Sequence, residues 1–279
     1  MRRRLWLNVV VVLVALVLAA IAWLDYQQPD DDNGLTSLRP DDVGVIRVQR
    51  EDGDGLRMER QGDGWLITDP VTAPASTFHV EQLLELTRAP RQASYEPGEV
   101  DPEALGLIPP RIKIAFDGTG IGLGDAEGEL RYAMTGNAVH LIPDGLMPLI
   151  SGPWWNFLDR HVLADGIEPI ALKTDDLELR REAEHWDVTV GDLDDDAAAQ
   201  LMDDWMEMEA LVARPLDEPP GAEADVTLRL ENGTERRFAA LEEDGEVRLV
   251  DLDSGVAYVM SAEVRAYLLT GEEPQGSAE

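Results

Sequence analysis

Past residue 42 the chain alternates apolar and polar positions in short runs broken by glycine-bearing turns, the period-two signature of strands with one buried face. Runs at 43–50 and 56–60 flank Asp52-Gly53-Asp54-Gly55, and Gly62-Asp63-Gly64 leads into Trp65-Leu66-Ile67-Thr68, which predicts an antiparallel meander. Pro70 and Pro74 stop it. Ser76 or Thr77 then caps a helix whose Val80, Leu83, Leu84 and Thr87 share one face. Asp101-Pro102-Glu103-Ala104-Leu105-Gly106 has a capping acid, an early proline and a terminal glycine, so a single helical turn is expected there. Strands at 111–116, 120–123, 129–134 and 138–142 follow, then a short apolar segment at 146–150.

The same order recurs in the second half. Strands at 168–173, 177–182 and 186–190 form a second meander, and Trp186 stands in its last strand as Trp65 does in the first. A helix over 194–212 is expected from Leu201, Trp205, Met208 and Val212, spaced along one stripe. Strands at 225–230 and 235–241 join across Asn232-Gly233, a type I′ hairpin signal; strands at 246–251 and 256–260 and a helix from Ser261 to residue 269 close the chain. The matched tryptophans stand 121 residues apart and the matched Val139 and Val256 stand 117 apart, a nearly constant offset that a duplication would leave. The expected fold class is α+β: two tandem repeats of an antiparallel sheet, each packed with one main helix, at 43–150 and 166–270.

Between the repeats, Ser151-Gly152-Pro153-Trp154-Trp155-Asn156-Phe157-Leu158 is too apolar for a free linker. Gly152-Pro153 suits a helix start, so 151–165 is expected to be a connecting helix. Trp154, Trp155, Phe157 and Leu158 are the candidate site residues, assigned to inter-repeat packing, with Trp155 setting the angle between the repeats.

Ahead of the repeats, residues 5–24 hold Asn8 as their one strongly polar member, and a helix of about 20 residues spans a bilayer core of roughly 30 Å. Arg2, Arg3 and Arg4 before it and Asp25, Asp30, Asp31 and Asp32 after it orient a single-pass span with the stub 1–4 in the cytoplasm and the bulk outside, at a bacterial inner membrane facing the periplasm. The competing reading is a signal peptide cleaved after Ala20-Ile21-Ala22, against which the length of the apolar run argues. Residues 25–42 read as a flexible tether and 271–279 as a disordered tail.

Charge changes the picture more than composition does. Asp and Glu number 56 against 23 Lys and Arg, a net charge of −33. Nucleic acid is a poor partner for such a surface. A fold with that self-repulsion gains from screening, whose range falls from about 10 Å at 0.1 M salt to about 3 Å at 1 M, so a halophilic chain is expected. Its melting temperature should climb as NaCl rises to molar levels, and a flat response in a thermal scan would refute that reading. The chain has no cysteine, which excludes disulfides, thiolate metal sites, cysteine nucleophiles and a lipid-modified cysteine.

Candidate chemistry is sparse. His79, His140, His161 and His185 are scattered, without the spacing that aims two imidazoles at one metal. Gly118, Gly120, Gly122 and Gly124 alternate without forming a phosphate loop and read as strand glycines. Asp192, Asp194, Asp196 and Asp203 fall at calcium-loop positions, but Ala197 replaces the required glycine, and acids opening a helix are stabilised by its dipole. No serine lies in a nucleophile elbow, and no cofactor is expected.

The succession Gly64-Trp65-Leu66-Ile67-Thr68-Asp69-Pro70, Leu105-Gly106-Leu107-Ile108-Pro109-Pro110, Ile121-Gly122-Leu123-Gly124-Asp125 and the Trp155 region resembles the bacterial domain-of-unknown-function family 4340. That resemblance covers most of the chain past residue 42, its first half better than its second. It implies a membrane-anchored envelope protein of the kind often encoded beside gliding-type ABC transporter genes, with a permease or another envelope protein as partner. The reading that follows is a non-enzymatic accessory subunit. The alternative is a periplasmic ligand- or glycan-binding module using the cleft between the repeats. A hydrolase using paired carboxylates is a third reading, which no motif supports.

Overall fold

The computed structural model describes residues 33–51, 53, 55–164, 166–183, 185–216, 221–243 and 246–272. The expected membrane span at 5–24, the stub before it and the tail 273–279 lie outside the described residues. No described helix is long and apolar enough to cross a membrane. The described chain is mostly β-sheet with few helices, built as two antiparallel sheets.

The first sheet has nine strands: β1 (Val45–Arg50), β2 (Gly55–Gln61), β3 (Gly64–Asp69), β4 (Ala73–Ala75), β5 (Ala93–Tyr95), β6 (Ile112–Phe116), β7 (Thr119–Glu127), β8 (Leu130–Thr135) and β9 (Ala138–Pro143), in the order β4-β3-β2-β1-β6-β7-β8-β9-β5. Alternation sets the register. Ile46 lies opposite Phe116 and Val48 opposite Ile114, so one face of β1 and β6 is buried and apolar but for Arg50, while Arg47, Gln49 and Lys113 face solvent. Helix α1 (Thr77–Leu84) lays Val80, Leu83 and Leu84 on the core, with Ser76 Oγ accepting the His79 N–H as N-cap. Helix α2 (Met147–Ile150) closes this half.

The second sheet comprises β10 (Pro169–Lys173), β11 (Glu178–Glu182), β12 (His185–Val190), β13 (Val212–Pro215), β14 (Val226–Leu230), β15 (Glu235–Glu243), β16 (Glu246–Asp251) and β17 (Val256–Met260), ordered β12-β11-β10-β14-β15-β16-β17-β13. Apart from β4, this is the strand order of the first sheet. Helix α3 (Asp195–Glu207) buries Ala198, Leu201, Met202 and Trp205, with the Trp205 indole N–H donating to Leu268 O at 3.2 Å. Helix α4 (Ala262–Thr270) ends at Gly271, whose φ of 71° is the left-handed C-terminal stop that glycine adopts freely.

Five expectations are corrected. The helix expected over 194–212 ends at Glu207, because Met208 and Ala210 give their backbone groups to the inter-sheet segment, and Val212 begins β13. The connecting helix expected over 151–165 is one 3-10 turn, Trp154–Phe157, because Leu158 turns extended to bridge Ala75. Residues 101–106 form turns and no helix; the Leu107 N–H reaches Pro102 O, and Gly106 takes a φ of 65°. The Asn232-Gly233 hairpin is not type I′. Only Gly233 has positive φ, and its N–H donates to Leu230 O, so a type I turn is followed by a glycine bulge. Finally, the tether expected over 25–42 is docked from residue 33: Leu35 is buried, and the N–H groups of Leu35 and Thr36 donate to Ala89 O and Thr87 O.

The two meanders end differently at their outer edge. In the first, β4 runs back along β3, setting Ala75 against Trp65 and Ala73 against Ile67. In the second, β12 is outermost among the described residues. Asp195 serves that edge, its Oδ1 accepting the Trp186 N–H at 2.6 Å and its Oδ2 lying 2.8 Å from His185 Nδ1. The Trp186 N–H, and His185 after it, hold the Asp195 carboxyl below the usual carboxylate range. A register shift beside Thr189 bends the same edge. Removing an edge cap invites strand pairing between copies. Asp195→Ala is therefore expected to self-associate in molar NaCl where the parent chain does not, as sedimentation velocity would show.

A candidate docking groove where the two sheets meet

Segment 157–162 alternates its backbone bonds between the two halves. The Ser76 N–H donates to Phe157 O at 2.8 Å and the Asp159 N–H to Pro74 O at 3.0 Å, which joins the segment to the β4 edge. Three residues on, the Ala210 N–H donates to Arg160 O at 2.8 Å and the Val162 N–H to Met208 O at 3.0 Å, which joins it to the chain entering β13. Successive residues of an extended chain offer their groups to opposite sides, so a few residues serve both neighbours. Below this clip the apolar core is continuous, passing from the first half through Trp154, Phe157, Leu158, Val162 and Leu163 into the second.

Of the four candidate packing residues, Trp154, Phe157 and Leu158 are buried in that core. Trp155 is half-buried; its ring stands edge-on to Trp154 at 6.0 Å and walls an open groove. The groove encloses about 610 Å³. The buried Leu158 and Ala213 line it, and its other apolar lining comes from both halves: Phe78 and Leu149 from the first, Leu211 and Val212 from the second. Phe78 is 64 % exposed, Leu211 69 % and Val212 45 %, so three of the five large apolar side chains exposed among the described residues sit around one depression. Such clustering marks a recognition surface more than scattered exposure does.

Polar groups rim the apolar floor. Asp159 Oδ1 accepts the His161 N–H at 3.0 Å and lies 2.8 Å from His161 Nδ1, which fixes the imidazole against the clip. Across it, Arg160 is ion-paired to Glu209. His79 packs edge-on to Phe157 at 6.5 Å between ring centroids. A shallow, half-open apolar site of this volume can seat a few side chains of another chain.

The other candidate residues are dispersed. His140 is buried, with Ser94 Oγ 2.9 Å from Nδ1 and Thr135 Oγ1 3.1 Å from Nε2; burial first, and Arg91 second, push its pKa down. Asp194 is the N-cap of α3, accepting the Ala197 N–H at 2.9 Å, so the aspartates at 192, 194 and 196 stand at a helix start while Asp203 lies within the helix. Among the described residues no three His, Asp or Glu side chains are grouped as metal ligands would be. Gly122 and Gly124 lie in β7 and admit the loop before β6; a Cβ on Gly124 would stand 2.3 Å from Leu105 O. Sequence reasoning missed Phe78, Leu211 and Val212. Phe78 was visible as an apolar residue off the buried stripe of α1, whereas Leu211 and Val212 were absorbed into an overlong helix.

Comparison with family models, with characterised proteins and with solved structures returned no match.

Proposed function

We propose that this chain is a non-enzymatic accessory protein, two tandem copies of one α+β unit held at the outer face of a bacterial inner membrane by residues 5–24, that docks a partner protein at the groove between its halves. The observation that carries the reading is the gathering of Phe78, Leu211 and Val212 around a groove whose walls come from both halves. The resemblance to family 4340 supports an ABC transporter permease, or another envelope component beside it, as that partner. Exposed anchors around a buried floor are what protein interfaces use, with a few side chains carrying most of the energy.

The experiment is photo-cross-linking from p-benzoylphenylalanine placed at Val212 in the anchored chain, followed by purification in mild detergent. A cross-linked permease or ATPase subunit is the expected product. Recovery of the chain alone, with no adduct, would overturn the reading.

A second reading has its own observation: Trp155 shares the groove with Asn156, Asp159, Arg160, His161 and Glu209, an aromatic face beside polar groups of the kind a glycan needs. Quenching of tryptophan fluorescence by cell-wall oligosaccharides, abolished in Trp155→Ala, would favour it over the first.

A further inference from the structure

We infer that the occupant of the groove is a basic amphipathic segment of a partner protein, its apolar side chains seated between Phe78 and Leu211 and its cationic residues lying over the acids beyond them; this rests on the groove being a docking site. Phe78 from the first half and Leu211 from the second line one groove with the buried Leu158 and Ala213, so an entering chain meets aliphatic and aromatic surface from both halves. An open groove admits a strip of side chains from a longer segment, in the manner of helix-in-groove recognition.

The stretches of chain that run into the groove are acidic. The chain leading to Leu211 carries Asp203, Asp204, Glu207 and Glu209 with no base among residues 203–211, although Arg160 already takes Glu209 and the Tyr267 hydroxyl donates to Asp204. In the first half, Glu81 and Glu85 follow Phe78, and the next base is Arg88. Among the described residues that line the groove Arg160 is the one arginine, and Glu209 takes it. The net charge of −33 adds a long-range field that draws cations and repels anionic segments, a second copy of this chain included. Apolar contact holds the segment, and charge selects which segment approaches.

The test uses the full chain in phosphatidylcholine nanodiscs, with empty discs as the blank. The probes are two fluorescein-labelled peptides, one of leucine and lysine in helical spacing and the other with glutamate in place of lysine. At about 0.1 M NaCl, where charges act over about 10 Å, the leucine–lysine peptide should bind with raised anisotropy and the leucine–glutamate peptide should not. Leu211→Asp, at a surface position where substitutions change stability little, should weaken binding about tenfold or more, as loss of an interface anchor does. Raising the salt to about 1 M should weaken it as well, because screening then acts within about 3 Å. Equal binding of both peptides, each weakened by Leu211→Asp, would overturn the charge selection and leave docking at the groove standing. Binding that Leu211→Asp leaves unchanged would overturn both. If the leucine–lysine peptide does not bind at all, the inference fails, and the Val212 cross-link alone decides whether the groove docks a protein.

Discussion

Phe157→Ala is expected to lower the stability of the chain by about 4 kcal/mol, the usual cost of truncating a fully buried aromatic side chain. Its ring has no solvent exposure, packs edge-on to His79, and lies in the core that joins the halves. The backbone at Phe157 also accepts the Ser76 N–H, so collapse of the cavity would pull on the N-cap of α1. Calorimetry of the full chain should show the midpoint fall by about 10 °C, at the few degrees per kcal/mol typical of this size, and the single transition divide in two as the halves uncouple. An unchanged single transition would show that the segment is a passive connector. Trp155→Ala is the control. Its ring is half-exposed on the groove wall, so its truncation should cost only about 1 kcal/mol.

Gly124→Ala is expected to cost about 3 kcal/mol, the upper end of overpacking penalties. The added methyl would meet Leu105 O at 2.3 Å and Leu107 Cγ at 2.9 Å, and the first is backbone, which cannot swing aside. That backbone is held, because the Asp125 N–H donates to Leu105 O at 2.9 Å and the Leu107 N–H donates to Pro102 O at 2.9 Å. Gly122→Ala faces the milder contact of Pro110 Cβ at 3.1 Å and should lose less. Urea titration of the two variants, with equal slopes, would show the order; equal midpoints would mean that the 101–110 loop yields.

Much of the architecture was legible because short-range rules decide it. Both meanders, the hairpin at Asn232-Gly233 and the caps at Ser76 and Ser261 follow from alternation and from side chains that accept nearby N–H groups. What was not legible depends on partners distant in sequence. β4, β5 and β13 are three or four residues long and exist because β3, β9 and β17 offer them an edge. Val212 continues a helical stripe in sequence, yet its backbone pairs with Val259. The candidate site was half visible. Trp154, Trp155, Phe157 and Leu158 marked the segment by their density, but the groove needs Phe78 and Leu211, which the strand order alone brings together. Asp195 stands in a run of acids at a helix start, and its hydrogen bond to the edge of β12 has no local signature.

The rims of the two sheets matter most where charge counts least. In dilute buffer a net charge of −33 keeps copies of this chain apart at long range, but in brine, where its reach shrinks to about 3 Å, that barrier is gone. The safeguards that persist are those made of atoms in contact. The outer side of β4 is occupied by the inter-sheet segment, and that of β12 is plugged by a carboxylate and bent by an irregularity. At the far rims, β5 has three residues, and β13 has four and ends in Pro215, which has no N–H to offer. Each side of both sheets is thus closed, shortened or bent by local structure, so resistance to stacking into fibrils would survive a rise in salinity that silences electrostatic repulsion.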